Sequence, residues 1–138
     1  LHADERYLAA ASMPGLTPRQ QIAASAQWFF RLYRDHPELF RLLAFPHQPQ
    51  SGPAAAVAAR VAARVAEENE RLVDAIRRGI AAGQLRDVPP DETAAFLWAA
   101  WRGALALGWR PDALHRPPDQ LASLYAVGVD VLTRGLLP

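Results

Sequence analysis

The sequence contains no cysteine, which removes a disulfide framework, a thiolate nucleophile and any Cys-ligated zinc or iron–sulfur site in one step. Lysine is missing too. All 15 basic residues are arginine, so neither a phosphate-loop lysine nor a Schiff-base lysine is available. Excess charge of either sign is also lacking: 15 basic residues against 14 acidic ones give a net charge of +1, with no broad electrostatic footprint for DNA or RNA. No run of β-branched residues suggests a strand. The longest apolar stretch, 94–109, spans about 24 Å as a helix, short of the roughly 30 Å hydrocarbon core of a bilayer. It also carries Arg102, so a buried helix is expected rather than a membrane span. The opening LHADERY is charged and lacks a signal-like apolar stretch, so a cytoplasmic location is expected.

What the chain does have is 138 residues, of which 51% are hydrophobic, enough for a single core over 1–138 held without metal or disulfide. Its 12 prolines and few glycines divide it into segments of helical periodicity, so the fold class is all-α. Residues 1–12 look like the last turns of a helix that stops at Met13-Pro14-Gly15. Thr17 as N-cap and Pro18 at the first helical position start a second helix running to about Asp35. On a helical wheel Ile22, Ala26, Phe29 and Tyr33 fall on one line, flanked by Trp28, Phe30 and Leu32. The apolar arc exceeds half the circumference, so this helix should be nearly surrounded by others. His36-Pro37 breaks it and a short helix follows.

From Ala54 to about Ala82 no proline occurs, and Val57, Val61, Val65, Leu72, Ile76 and Ile80 mark one long helix that Gly83 ends. The charged residues Arg60, Arg64, Glu67, Glu68, Glu70, Arg71, Asp74 and Arg77 are assigned to its solvated face. Asp91 caps or opens the apolar helix at 94–109, and a last helix runs from about Pro118 to Leu137. A helix apolar on all sides needs partners on all sides, and a second subunit is the simplest one. Gly103, Gly108, Gly128 and Gly135 cost helix propensity and suggest close helix–helix approach.

Three segments, WFFRLYRDHPELFRLL at 28–43, IAAGQLR at 80–86 and FLWAAWRGAL at 96–105, carry a resemblance through their order and spacing. So ordered, the chain resembles the C-terminal domain of TetR-family transcriptional regulators over its whole length. The opening LHADERYL looks like the continuation of the helix that joins the family's DNA-binding head to this body. The resemblance implies a helical bundle with a long central helix, whose two C-terminal helices form a four-helix bundle with those of a second copy. It also implies a ligand-responsive repressor body in the cytoplasm, with DNA bound only through an N-terminal helix-turn-helix outside this chain. WAAWRG at 98–103 resembles a Trp-x-x-x-His-Gly pattern of one branch of the family, with Arg102 where His is usual.

The resemblance assigns an effector site to Trp28, Phe29, Leu32, Tyr33, Phe45, His47, Trp98, Trp101 and Arg102, and an apolar site of this kind suits a hydrophobic or aromatic molecule. Arg102 is expected to point into the body, where its guanidinium would hold a ligand anion or a structural carboxylate such as Glu38 or Asp91. His36 is read first as a helix-end residue and His47 as either solvent-facing or at the pocket rim. The homodimer seam is expected at Phe96, Gly103, Leu107, Leu124, Gly128, Val131 and Leu132. No catalytic residues, metal ligands or cofactor are expected: Ser12, Ser25, Ser51 and Ser123 lack a nucleophile context, and the four histidines are dispersed. The competing function is a helical dimerisation or scaffolding module without a small ligand, its aromatics filling a core.

Overall fold

The computed structural model describes residues 15–44 and 52–138. The helix expected at 1–12, and Phe45 and His47, lie outside the described residues. Five α-helices are seen among these: α1 (Pro18–Asp35), α2 (Pro37–Ala44), α3 (Pro53–Ala81), α4 (Pro90–Ala106) and α5 (Pro118–Gly135). They pack as an all-α bundle.

The α1 start is a capping box. The Thr17 hydroxyl accepts from the Gln20 amide at 3.2 Å while the Thr17 amide donates to the Gln20 side chain at 2.9 Å, satisfying two end-of-helix donors, and Pro18 needs none. At its far end the His36 amide donates to the Leu32 carbonyl at 2.9 Å, and the His36 carbonyl accepts from Phe40 at 3.0 Å. One residue thus closes α1 and opens α2. As its wide apolar arc requires, α1 packs against all four other helices and buries Ile22, Ala26, Trp28 and Phe29. From α5, the buried Tyr125 hydroxyl donates to the Ala26 carbonyl.

Long α3 ends as expected at Gly83, whose φ of 71° is the left-handed conformation that glycine adopts without a Cβ penalty. Its amide donates to the Ile80 carbonyl at 3.1 Å and that of Gln84 to the Gly79 carbonyl at 2.9 Å, a Schellman closure. The chain then folds Leu85 back so closely that a Cβ on Gly79 would lie 2.6 Å from its Cδ1 and 3.0 Å from the Pro18 Cβ. This contact pins the start of α1 beside the end of α3, which makes the two helices antiparallel.

Within the single chain, the α4 helix is buried on one side. Ala94, Leu97, Trp101 and Leu105 are buried, a single stripe at helical spacing, while Phe96 on the opposite face is 64% exposed. Its first turn holds Asp91 and Glu92 without a side-chain cap, so Asp91 opens the helix by complementing its dipole. After Ala106 the chain tightens into a 3-10 turn, Leu107–Trp109. No helix among the described residues is long and apolar enough to cross a membrane.

Of the four glycines expected at close approaches, only Gly108 is at one. A Cβ there would overlap the Tyr33 hydroxyl and stand 3.1 Å from Leu121 Cδ2, whereas Gly103, Gly128 and Gly135 face open space within the chain. Gly108→Ala is therefore expected to lower stability by about 1–3 kcal/mol through overpacking. Adding Tyr33→Phe, which removes the overlapping oxygen, should recover part of the loss, as read from urea midpoints of the single and double variants.

Candidate functional site

The inward faces of α1 and α4 meet in a cluster of aromatic rings. Phe29 and Trp98 lie edge to face with centroids 4.8 Å apart, Trp28 meets Trp98 at 6.1 Å, and Trp101 meets Trp98 at 5.9 Å. Phe29 also touches Phe40 of α2 at 5.1 Å, and Phe40 leads to Tyr33 and Trp109 at 5.2 and 5.3 Å. Edge-to-face pairs set the positive rim of one ring against the negative face of the next, which adds to their burial. The Arg41 guanidinium covers the outer end of this chain of rings, 4.8 Å from the Trp109 centroid, a cation–π contact. Burial pushes the Tyr33 phenol above its usual range, because the ionised form loses hydration.

Six of the nine expected effector-site residues, Trp28, Phe29, Leu32, Tyr33, Trp98 and Trp101, belong to or pack against this one core. Phe45 and His47 lie outside the described residues. Arg102 is a correction: it is exposed and does not point into the body. The buried stripe of α4 centres on Leu97, Trp101 and Leu105; Arg102, about 100° round from Trp101, lies on its flank, where a long arginine keeps its guanidinium in water. Nor does Asp91 serve it, since that carboxylate sits 3.6 Å from Arg77. His36 acts through its backbone at the α1–α2 junction.

The buried charge is instead Glu68 of α3, also a correction, because the charge run around it places it on the solvated face. Its side chain is completely buried. The spacing of Val61, Val65, Glu68, Leu72 and Ile76 puts Glu68 on the apolar stripe, and this is the signal that could have found it. Glu68 Oε1 accepts from Arg71 Nη1 at 2.6 Å, while Oε2 is buried without a partner. The indole nitrogens of Trp98 and Trp101 share that condition. A buried polar atom left unpaired costs about 1–3 kcal/mol, and native folds keep few of them. Desolvation raises the Glu68 pKa, opposed by the charge and hydrogen bond of Arg71, with Glu67 adding slightly to the rise and Arg64 opposing it.

The seven expected seam residues divide. Phe96 is 64% and Val131 61% exposed, and Gly103 and Gly128 border open space. Leu124 is half-buried, and Leu107 and Leu132 pack partly onto the core. Val127, 60% exposed, falls one turn before Val131 and was not among those expected. The exposed ones, Phe96 on α4 and Val127 and Val131 on α5, give these helices outward apolar surface. Among the described residues, no three His, Asp or Glu side chains form a group able to hold a metal.

Compared with known protein families, curated proteins and solved structures, the chain matches none.

A carboxyl with a raised pKa keeps its proton in the fold at pH values where the unfolded chain has already lost it. The folded state then binds more protons, and stability falls as pH rises from the ordinary glutamate range through the raised value. Glu68→Gln removes this titration. Thermal unfolding across pH is expected to show the parent losing stability relative to the variant as pH rises from the ordinary glutamate range, and the difference levelling off as pH falls below it.

Proposed function

We propose that this chain is the non-catalytic effector-binding and dimerisation body of a TetR-like transcriptional repressor, responsive to a hydrophobic or aromatic small molecule. The observation that carries the reading is the aromatic cluster of α1 and α4, which encloses two indole N–H groups without partners. A filled core has no use for unpaired donors, whereas a ligand site sets a few polar groups in an apolar wall. The order of the motifs in the sequence supports the family, and the outward face of α4 and α5 supports a homodimer. Phe96 and Val131 offer apolar surface there, and Gly103 and Gly128 leave room for helices of a second copy to approach. Effector binding would favour one arrangement of the helices and so change the spacing of two DNA-binding heads carried outside this chain.

The competing reading, a dimerisation or scaffolding module without a ligand, draws on the close ring-to-ring packing of Phe29, Phe40 and Trp98. Ligand response separates the two. An aromatic effector present at about 100 times its Kd should raise unfolding stability by about 2.7 kcal/mol and perturb tryptophan fluorescence. A broad panel of apolar and aromatic compounds that does neither leaves the scaffold. For the seam, sedimentation at micromolar concentration is expected to show a dimer in the parent and a monomer in Gly128→Arg; a parent already monomeric rejects it.

A further inference from the structure

We infer that the α1–α3–α4 layer around Glu68 is a polar anchor for a neutral hydroxyl on an otherwise apolar ligand, the hydroxyl bridging the Glu68 carboxyl and the Trp98 and Trp101 indoles; this rests on the effector reading above. The register of the helices brings these groups to one level. Pro18 stands against Gly79 where α1 and α3 run antiparallel. Equal steps forward along α1 and back along α3 arrive at Phe29 and Glu68. Where α3 meets α4, Arg77 pairs with Asp91 at 3.6 Å, and equal steps from that pair set Glu68 within about a turn of position 100, at the level of Trp98 and Trp101. The two counts are independent, and the 4.8 Å contact between Phe29 and Trp98 closes the triangle they describe. The buried partnerless atoms Glu68 Oε2, Trp98 Nε1 and Trp101 Nε1 thus share one layer: an acceptor and two donors that do not satisfy one another.

Their chemistry selects the occupant. An indole N–H can only donate, so the layer needs an acceptor; a carboxylate oxygen can only accept, so it also needs a donor. A hydroxyl is both. Its proton can go to the carboxylate oxygen while its two lone pairs accept from the two indoles. An ammonium ion could pair with the carboxylate but would leave the indole donors unmet, and Arg71 already supplies Glu68 with a cation at 2.6 Å. An anion would meet the Glu68 charge, and Arg102, the residue expected to receive one, is exposed. Trp98 itself is partly exposed, although its indole nitrogen is buried.

Four probes with one apolar body test the assignment by calorimetry: propylbenzene, para-propylphenol, para-propylbenzoate and para-propylbenzylammonium. The phenol is expected to bind about tenfold or more tighter than propylbenzene, the scale of a hydrogen bond to a charged group, and tighter than either ion. In a heteronuclear NMR spectrum it should move the Trp98 and Trp101 indole N–H resonances downfield, and those of Trp28 and Trp109 less. In Glu68→Leu the preference for the phenol over propylbenzene should fall to within about threefold. Equal affinity for propylbenzene and the phenol means that an internal water alone fills the layer and overturns the assignment, as does tighter binding of the benzoate or the ammonium probe. Those results leave the effector reading standing; binding of none of the four overturns both. The parent protein's order of affinities decides the question even if the leucine variant does not fold.

Discussion

The breadth of the buried face of α1 is the constraint from which the rest of the structure follows. A helix whose apolar arc passes half its circumference cannot lie on a surface, and here it is enclosed by α2, α3, α4 and α5. The enclosure is secured at three heights. The Pro18 contact with Gly79 and Leu85 sets the axial position of α3, the Tyr125 hydroxyl on the Ala26 carbonyl sets that of α5, and the shared residue His36 sets the departure of α2. At those heights the rings of Trp28 and Phe29 meet Trp98 of α4.

Helix ends were legible because they are written in residues with one physical meaning. Thr17 with Gln20, proline at first helical positions and Gly83 at positive φ each satisfy or remove backbone groups in a way few other residues can. Helix faces were legible only where the sequence alternates. In α1 the polar strip of Gln20, Gln27 and Arg34 is sharp, and all three are exposed. In α4 nearly every position is apolar, so periodicity could not say which side turns inward, and Arg102, assigned to the interior, is exposed.

Glu68 failed to be read for the opposite reason. It sits among charged neighbours that are solvated, and its own spacing within the Val61–Ile76 stripe was masked by them. Tertiary packing decided the matter: with Leu72 and Ile76 fully buried, a side chain one turn earlier on the same line has nowhere else to go. The half-exposed Arg71 side chain, 39% accessible, then keeps its charge near water while reaching one carboxylate oxygen. The acid is consequently neutralised from the surface side only, and its second oxygen is left toward the interior.

The long α3 helix is two different objects joined end to end. From Glu68 onward it is built into the core and closed by a Schellman turn, but no described residue from Ala55 to Glu67 is buried, and Gly52 before it makes no side-chain cap. Backbone hydrogen bonds that are covered on one side only open at lower free energy than those inside a core. Amide exchange along this single helix should therefore be graded rather than uniform. Its first half would unwind and reform many times within the lifetime of one global unfolding event, so the length of the stem can vary without disturbing the rings beneath.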